Sequence, residues 1–209
     1  MNRPLRILSL AISGILSALT AGCLPKPNTV ATRSYLLSPI SPDRPSTNAP
    51  SSARPTVGVG IVQMPAYLLK PSLVVRSGTN EIHYLEASLW AERLDISFQR
   101  TLAANLATLL PTDQIRISSW SRDEVTRAVY VNVEQLDVDA QGTGTLAAWW
   151  RITGPTGDKA LRSGEFRSTQ TGRPPSQDPG AVAATLSVLT TRLSEQLATR
   201  LRESLAAAP

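Results

Sequence analysis

Two leucine-spaced stripes, one on either side of a set of alternating segments, leave this chain few folds to choose from. Leu89, Trp90, Leu94, Phe98, Leu102, Leu106 and Leu109 recur at steps of one, three and four, and Val182, Leu186, Leu189, Leu193, Leu197, Leu201 and Leu205 at steps of three and four. Each set falls on one side of a helix. Ser88 is the expected cap of the first helix and Pro111 its stop, while Asp178 and Pro179 start the second. A one-sided helix needs an apolar face to cover, and the segments between and before the stripes supply it.

Val57, Val59 and Ile61 alternate with Gly58, Gly60 and Val62, the pattern of a strand with one buried face, whose glycines admit a close neighbour. Residues 34–37 form a short first strand. Residues 73–76 and 81–85 flank Ser77-Gly78-Thr79-Asn80 as a hairpin. Residues 114–118 read as a further strand. In residues 128–139 the apolar set moves from Val129, Val131 and Val133 to Leu136 and Val138, so a face switch or bulge is expected near Gln135. Turns at residues 142–144 and 154–158 then connect two more strands, 145–152 and 160–169, into an antiparallel meander.

The N-terminal residues indicate where such a domain works. Arg3 and Arg6 precede a short apolar run over residues 7–19, and Thr20-Ala21-Gly22 leads into Cys23, the single cysteine of the sequence. This resembles a bacterial lipobox, with residues 1–22 removed and Cys23 lipidated as the first mature residue. Thr20 stands where such boxes usually carry leucine. Without residues 1–22, 187 of the 209 residues remain, and loss of the two arginines takes the formal net charge from +5 to +3. That length suits one domain, expected over residues 34–209. Residues 23–33 are the acylated N-terminus and tether, and the Pro- and Ser-rich residues 41–55 a flexible loop. A hydrophobic fraction of 42% fits a packed core, which must hold without disulfides because the only thiol is consumed. The arginines are scattered, so nucleic-acid binding is not expected.

Catalytic equipment is sparse. His83 is the sole histidine and sits in an expected strand with no nucleophile pattern around it. A zinc site would need several His or Cys ligands, so no metal and no cofactor are expected. Glu86 with Glu92, or Asp137 with Asp139, could form acid pairs, but they read more simply as solvated positions at a helix start and a strand end. The expected class is non-enzymatic, with a hydrolase the less favoured alternative.

Residues 57–94 hold the distinctive pattern: a glycine strand, Pro-x-Tyr-Leu, basic-Pro, Val-x-Arg, Asn-Glu and Trp-Ala-Glu before the leucine-rich helix. Gly58, Gly60, Pro65, Tyr67, Leu68, Lys70, Pro71, Val74, Arg76, Asn80, Trp90, Ala91 and Glu92 carry it. Lys70 stands where arginine is commoner, and Leu89 where a basic residue often precedes the tryptophan. The segment resembles the PqiC/YmbA-like family of ABC-type transport auxiliary lipoproteins. That resemblance implies an α/β three-layer sandwich, a mixed sheet with two main helices and the antiparallel meander. It also implies an accessory lipoprotein of an MCE-type (PqiABC-like) lipid transport system, docked to a periplasmic MCE-domain protein and its ABC-type or integral-membrane transporter partners. The anchor would lie on the periplasmic face of the outer membrane, since Leu24 is not the aspartate that signals inner-membrane retention. A carrier that encloses lipid itself is the other alternative.

Met64, Tyr67, Leu68 and Leu69 place large apolar groups in a proline-bounded loop that regular structure cannot bury, so they are candidate partner or oligomer contacts, or else a cover for the sheet edge or core. Because an MCE assembly is a ring, copies of this protein could form a matching homo-oligomeric ring, with the long second helix and this loop as candidate subunit surfaces.

Overall fold

The computed structural model describes residues 31–41, 55–110, 112 and 114–207. The expected export signal, Cys23, most of the expected tether, residues 42–54 of the expected flexible loop and Pro111 lie outside the described residues. The strands are β1 (Arg33–Tyr35), β2 (Val57–Val59), β3 (Ser72–Arg76), β4 (Ile82–Trp90), β5 (Ile115–Ile117), β6 (Arg127–Asp139), β7 (Thr143–Thr153) and β8 (Ala160–Thr171). Helix α1 (Leu94–Leu109) follows β4, and α2 (Gly180–Ala206) follows β8. Among the described residues no helix is long and apolar enough to cross a membrane.

All eight strands belong to one mixed sheet organised by β6. Strand β7 runs antiparallel along one edge of β6 over residues 128–138, so β2 and β3, both parallel to β6, share its other edge. Strand β2 takes residues 127–129 and β3 takes residues 138–139. Beyond β2 lies β5, and beyond β3 lie β4 and then β1. The α/β sandwich with a mixed sheet, two main helices and a β6–β7–β8 meander is therefore as expected, while the described elements form two layers, one sheet and one pair of helices, where a three-layer sandwich was expected.

The two helices pack against each other on one face of the sheet, α2 over β6, β7 and β8 and α1 toward β2 and β5. Leu94, Phe98, Leu102 and Leu106 of α1 and Val182, Leu186, Leu189, Leu193, Leu197 and Leu201 of α2 are each at most 1% exposed. Burial of such side chains contributes about 1.5–3 kcal/mol each before the entropic cost of ordering them. A buried Asn105 amide ties the helices by donating to Ser194 Oγ at 3.0 Å.

The face switch in β6 is present: its register with β7 slips between Val133 and Gln135. The extra residue keeps Val129, Val131 and Val133 before it, and Leu136 and Val138 after it, against the helices. Three local expectations are corrected. Residues 88–90 are strand rather than the start of α1, because β4 is paired with β1 through Ser88, Leu89 and Trp90, and α1 opens only at Leu94. Strand β1 is Arg33–Tyr35, after which Leu36 is exposed and Leu37 buried. The alternation after β2 breaks: the Gly60 N–H donates to the Val129 carbonyl at 2.8 Å and the Gln63 N–H to the Val131 carbonyl at 3.1 Å. Three steps on this strand thus match two on β6, so Ile61 turns outward, 67% exposed, and Val62 inward.

Candidate functional site

The sheet face opposite the helices carries two clusters, in each of which residues from the distinctive stretch 57–94 meet side chains of β6. At the β3 end, the shift in β6 turns Asp137 outward, yet its side chain is only 2% exposed. Arg76, at the end of β3, reaches it with Nη2 at 2.6 Å from Oδ2 and Nε at 3.2 Å from each oxygen. The Tyr67 hydroxyl donates to Oδ2 at 3.0 Å, and Gln135 Nε2 donates to Oδ1 at 2.9 Å. A buried carboxylate surrounded in this way has its lone pairs matched and its charge balanced. Arg76 Nη1 also donates to the Thr79 carbonyl, tying in the β3–β4 turn. Burial, and then the charge and hydrogen bond of Asp137, push the Tyr67 phenol up from 10.0 to about 12. The Arg76 guanidinium is likewise raised, chiefly by its hydrogen bond to Asp137.

This cluster holds the 65–71 loop across the gap between β2 and β3. Residues Ala66–Leu69 form one 3₁₀ turn, in which the Leu68 N–H donates to the Pro65 carbonyl at 3.0 Å. The Pro71 carbonyl accepts from the Trp90 N–H at 2.7 Å. Leu68, 1% exposed, is part of the core, and Met64 and Tyr67 pack against it. Leu68 is therefore not available as a partner contact, and the Tyr67 hydroxyl is committed to Asp137. Leu69 is half-buried. The reading of Asp137 as a solvated strand end is also corrected, because the loop that covers it comes from far away in the sequence. Asn80 and His83 are exposed, and Glu92 pairs with Arg100 at 2.9 Å near the start of α1. Among the described residues no group of three or more His, Cys, Asp or Glu side chains is placed to hold a metal ion.

At the β2 end the motif glycines have a steric reason. A Cβ on Gly58 would stand 2.8 Å from the Trp120 ring, and one on Gly60 2.5 Å from the Tyr130 ring. Only a bare Cα admits these rings. The two rings lie tilted with centroids 6.4 Å apart, and the Arg151 guanidinium covers Tyr130 at 4.5 Å. Beyond Arg151 on β7, Trp149 is 46% exposed, with its indole N–H donating to Glu134 at 2.9 Å. Between these groups runs a groove of about 300 Å³ lined by Ile61, Tyr130, Asn132, Trp149, Arg151 and Ser163, among others. Sequence reasoning passed over it. The adjacent Trp149 and Trp150 were the available signal, since period two must turn one of them away from the core.

The family model described as the ABC-type transport auxiliary lipoprotein component matches residues 35–198. No curated protein matches the chain. Among solved structures, the crystal structure of an uncharacterized protein is similar at 18% identity and a TM-score of 0.66, covering 82% of this chain and 99% of that one. Protein XCC0632 from Xanthomonas campestris, of the DUF330 family, is similar at 15% identity and a TM-score of 0.65, covering 83% of this chain and 96% of its own. At such identities these two show the fold. With its glycine strand, proline-bounded loop and Arg76 in the places described, and a family model matching from β1 into α2, the chain belongs to the PqiC/YmbA-like family of ABC-type transport auxiliary lipoprotein components.

Proposed function

We propose that this protein is an outer-membrane-anchored periplasmic accessory lipoprotein of an MCE-type, PqiABC-like lipid transport system, and that it acts by docking to the transporter rather than by chemistry. The family match over residues 35–198 carries the reading, since an auxiliary component of a transport system works on transporter partners. Cys23 and the residues before it supply the anchor, and Leu24 favours the outer membrane. Each buried methylene contributes about 0.8 kcal/mol, so several acyl chains hold where one would not. Anchoring confines the domain near its partner and raises the effective concentration, so modest contacts suffice. Several copies arranged as a ring would add avidity against an MCE ring.

The polar cluster on Asp137 fits this role as a scaffold: Tyr67, Gln135 and two of the Arg76 nitrogens are turned on one carboxylate, and the cluster fixes the 65–71 loop. The test is purification of the full chain from membranes in mild detergent. The reading expects a tri-acylated Cys23 by mass spectrometry, outer-membrane fractionation and an MCE-domain protein in the same complex. Recovery with stoichiometric phospholipid and no protein partner would replace docking with the carrier reading, and an unmodified Cys23 thiol would remove the anchor.

A further inference from the structure

We propose that the groove between Ile61, Tyr130, Trp149 and Arg151 receives an apolar, carboxylate-bearing segment of the transporter's periplasmic protein, Arg151 taking the carboxylate and Ile61 and Trp149 the apolar side chain beside it. The proposal rests on the docking reading and gives it a surface.

Three observations lead there. The groove is preformed, because the Tyr130 ring is seated on the bare Cα of Gly60 and under Arg151, while the Trp149 indole is pinned by Glu134. Pinned aromatic groups lose little freedom on binding and are the usual anchors of an interface. Ile61 at 67% and Trp149 at 46% are among the few large apolar side chains left exposed among the described residues, and both line this one groove. Among the described residues lining the groove Arg151 is the one charged side chain, and the nearby Glu134 carboxylate is engaged by the Trp149 indole N–H. Among the described residues the Arg151 guanidinium has the Tyr130 ring as its partner and makes no hydrogen bond or ion pair, and the Asn132 and Ser163 side chains make no hydrogen bond. Flat donors beside apolar rings match a carboxylate joined to an apolar side chain. A bare inorganic anion would leave Ile61 and Trp149 unused. At about 300 Å³ the groove also lies at the bottom of the range for enclosed ligands, roughly 300–1,000 Å³, and suits a few side chains rather than a phospholipid's tails.

The experiment titrates the purified periplasmic domain of the MCE partner against the full lipidated chain in nanodiscs, comparing wild type with Arg151→Glu, Arg151→Lys, Trp149→Ala and Ser163→Trp. Ser163→Trp fills the groove and removes from it only the Ser163 hydroxyl, and thermal melts check that each variant is folded. The proposal expects about tenfold or greater weakening for Arg151→Glu, Trp149→Ala and Ser163→Trp, a smaller loss for Arg151→Lys, and wild-type binding that weakens with added salt. Wild-type affinity in all four folded variants would overturn the groove while leaving the docking reading intact. No binding by wild type would overturn both. Competition by phospholipid vesicles lacking the partner, lost in Ser163→Trp, would assign the groove to lipid and overturn the proposal.

Discussion

At one end of the open sheet face a carboxylate 2% exposed is enclosed by Arg76, Tyr67 and Gln135; at the other an indole 46% exposed lies beside an isoleucine 67% exposed. The two ends share β6 and the same stretch of motif residues, yet they spend them oppositely. Around Asp137 polar groups are buried and matched, which costs desolvation and returns a fixed loop. Around Tyr130 and Trp149 apolar and cationic groups are left facing water, which contributes little to folding and leaves them available for a partner. A residue of the first kind should move stability with little change in binding, and one of the second kind the reverse.

The largest effect is expected at Asp137. Asp137→Ala strands Arg76, Tyr67 and Gln135 and should cost about 3 kcal/mol in urea unfolding, whereas Arg76→Met with Asp137→Leu should recover the share due to Arg76, since the Tyr67 and Gln135 donors still lack their acceptor. Equal losses in the single and double variants would show that the pair holds the loop by more than its own charges. Next comes Gly60→Ala, whose Cβ must displace the Tyr130 ring standing 2.5 Å away. A cost of about 1–3 kcal/mol is expected, relieved in Gly60→Ala with Tyr130→Ala, and a neutral single variant would break the link between the motif glycine and the ring.

Tyr67→Phe should cost about 1 kcal/mol at neutral pH. The folded protein holds the Tyr67 proton up to about 12 while the ordinary value is 10.0, so between those values the folded state binds more protons than the unfolded chain. Stability from this group is full below pH 10.0 and is lost as pH rises through about 12, so the wild-type advantage over Tyr67→Phe should shrink across that window in alkaline denaturation. The smallest folding effect belongs to Trp149→Ala, within about 0.5 kcal/mol of wild type. A loss several times larger would move Trp149 from the docking surface into the scaffold.

Much of the fold was legible because its signals are local. The buried sides of both helices, the meander turns and the slip at Gln135 all follow from the spacing of apolar residues. What the sequence hid depends on pairing between distant segments. Residues 88–90 look like a helix start until β1 lies beside them, and Leu68 and Tyr67 look like a free apolar loop until the gap between β2 and β3 is known. Asp137 reads as solvated because its three partners come from β3, the loop and β6 itself. Of the motif residues, Arg76 was identified without its partner, and Gly58 and Gly60 without the rings they admit. The groove was missed because an added residue after Gly60 turns Ile61 outward, and only hydrogen bonding to β6 reveals it.

The most direct test of docking through the open face is site-specific photo-crosslinking in intact membranes. A benzophenone amino acid replaces Trp149 in one full-length variant and Val188 in another, the latter 42% exposed on α2. The account predicts a crosslink to the MCE-domain protein from position 149 and none from position 188. Crosslinking from position 188 alone would place the partner on the helical side and contradict it.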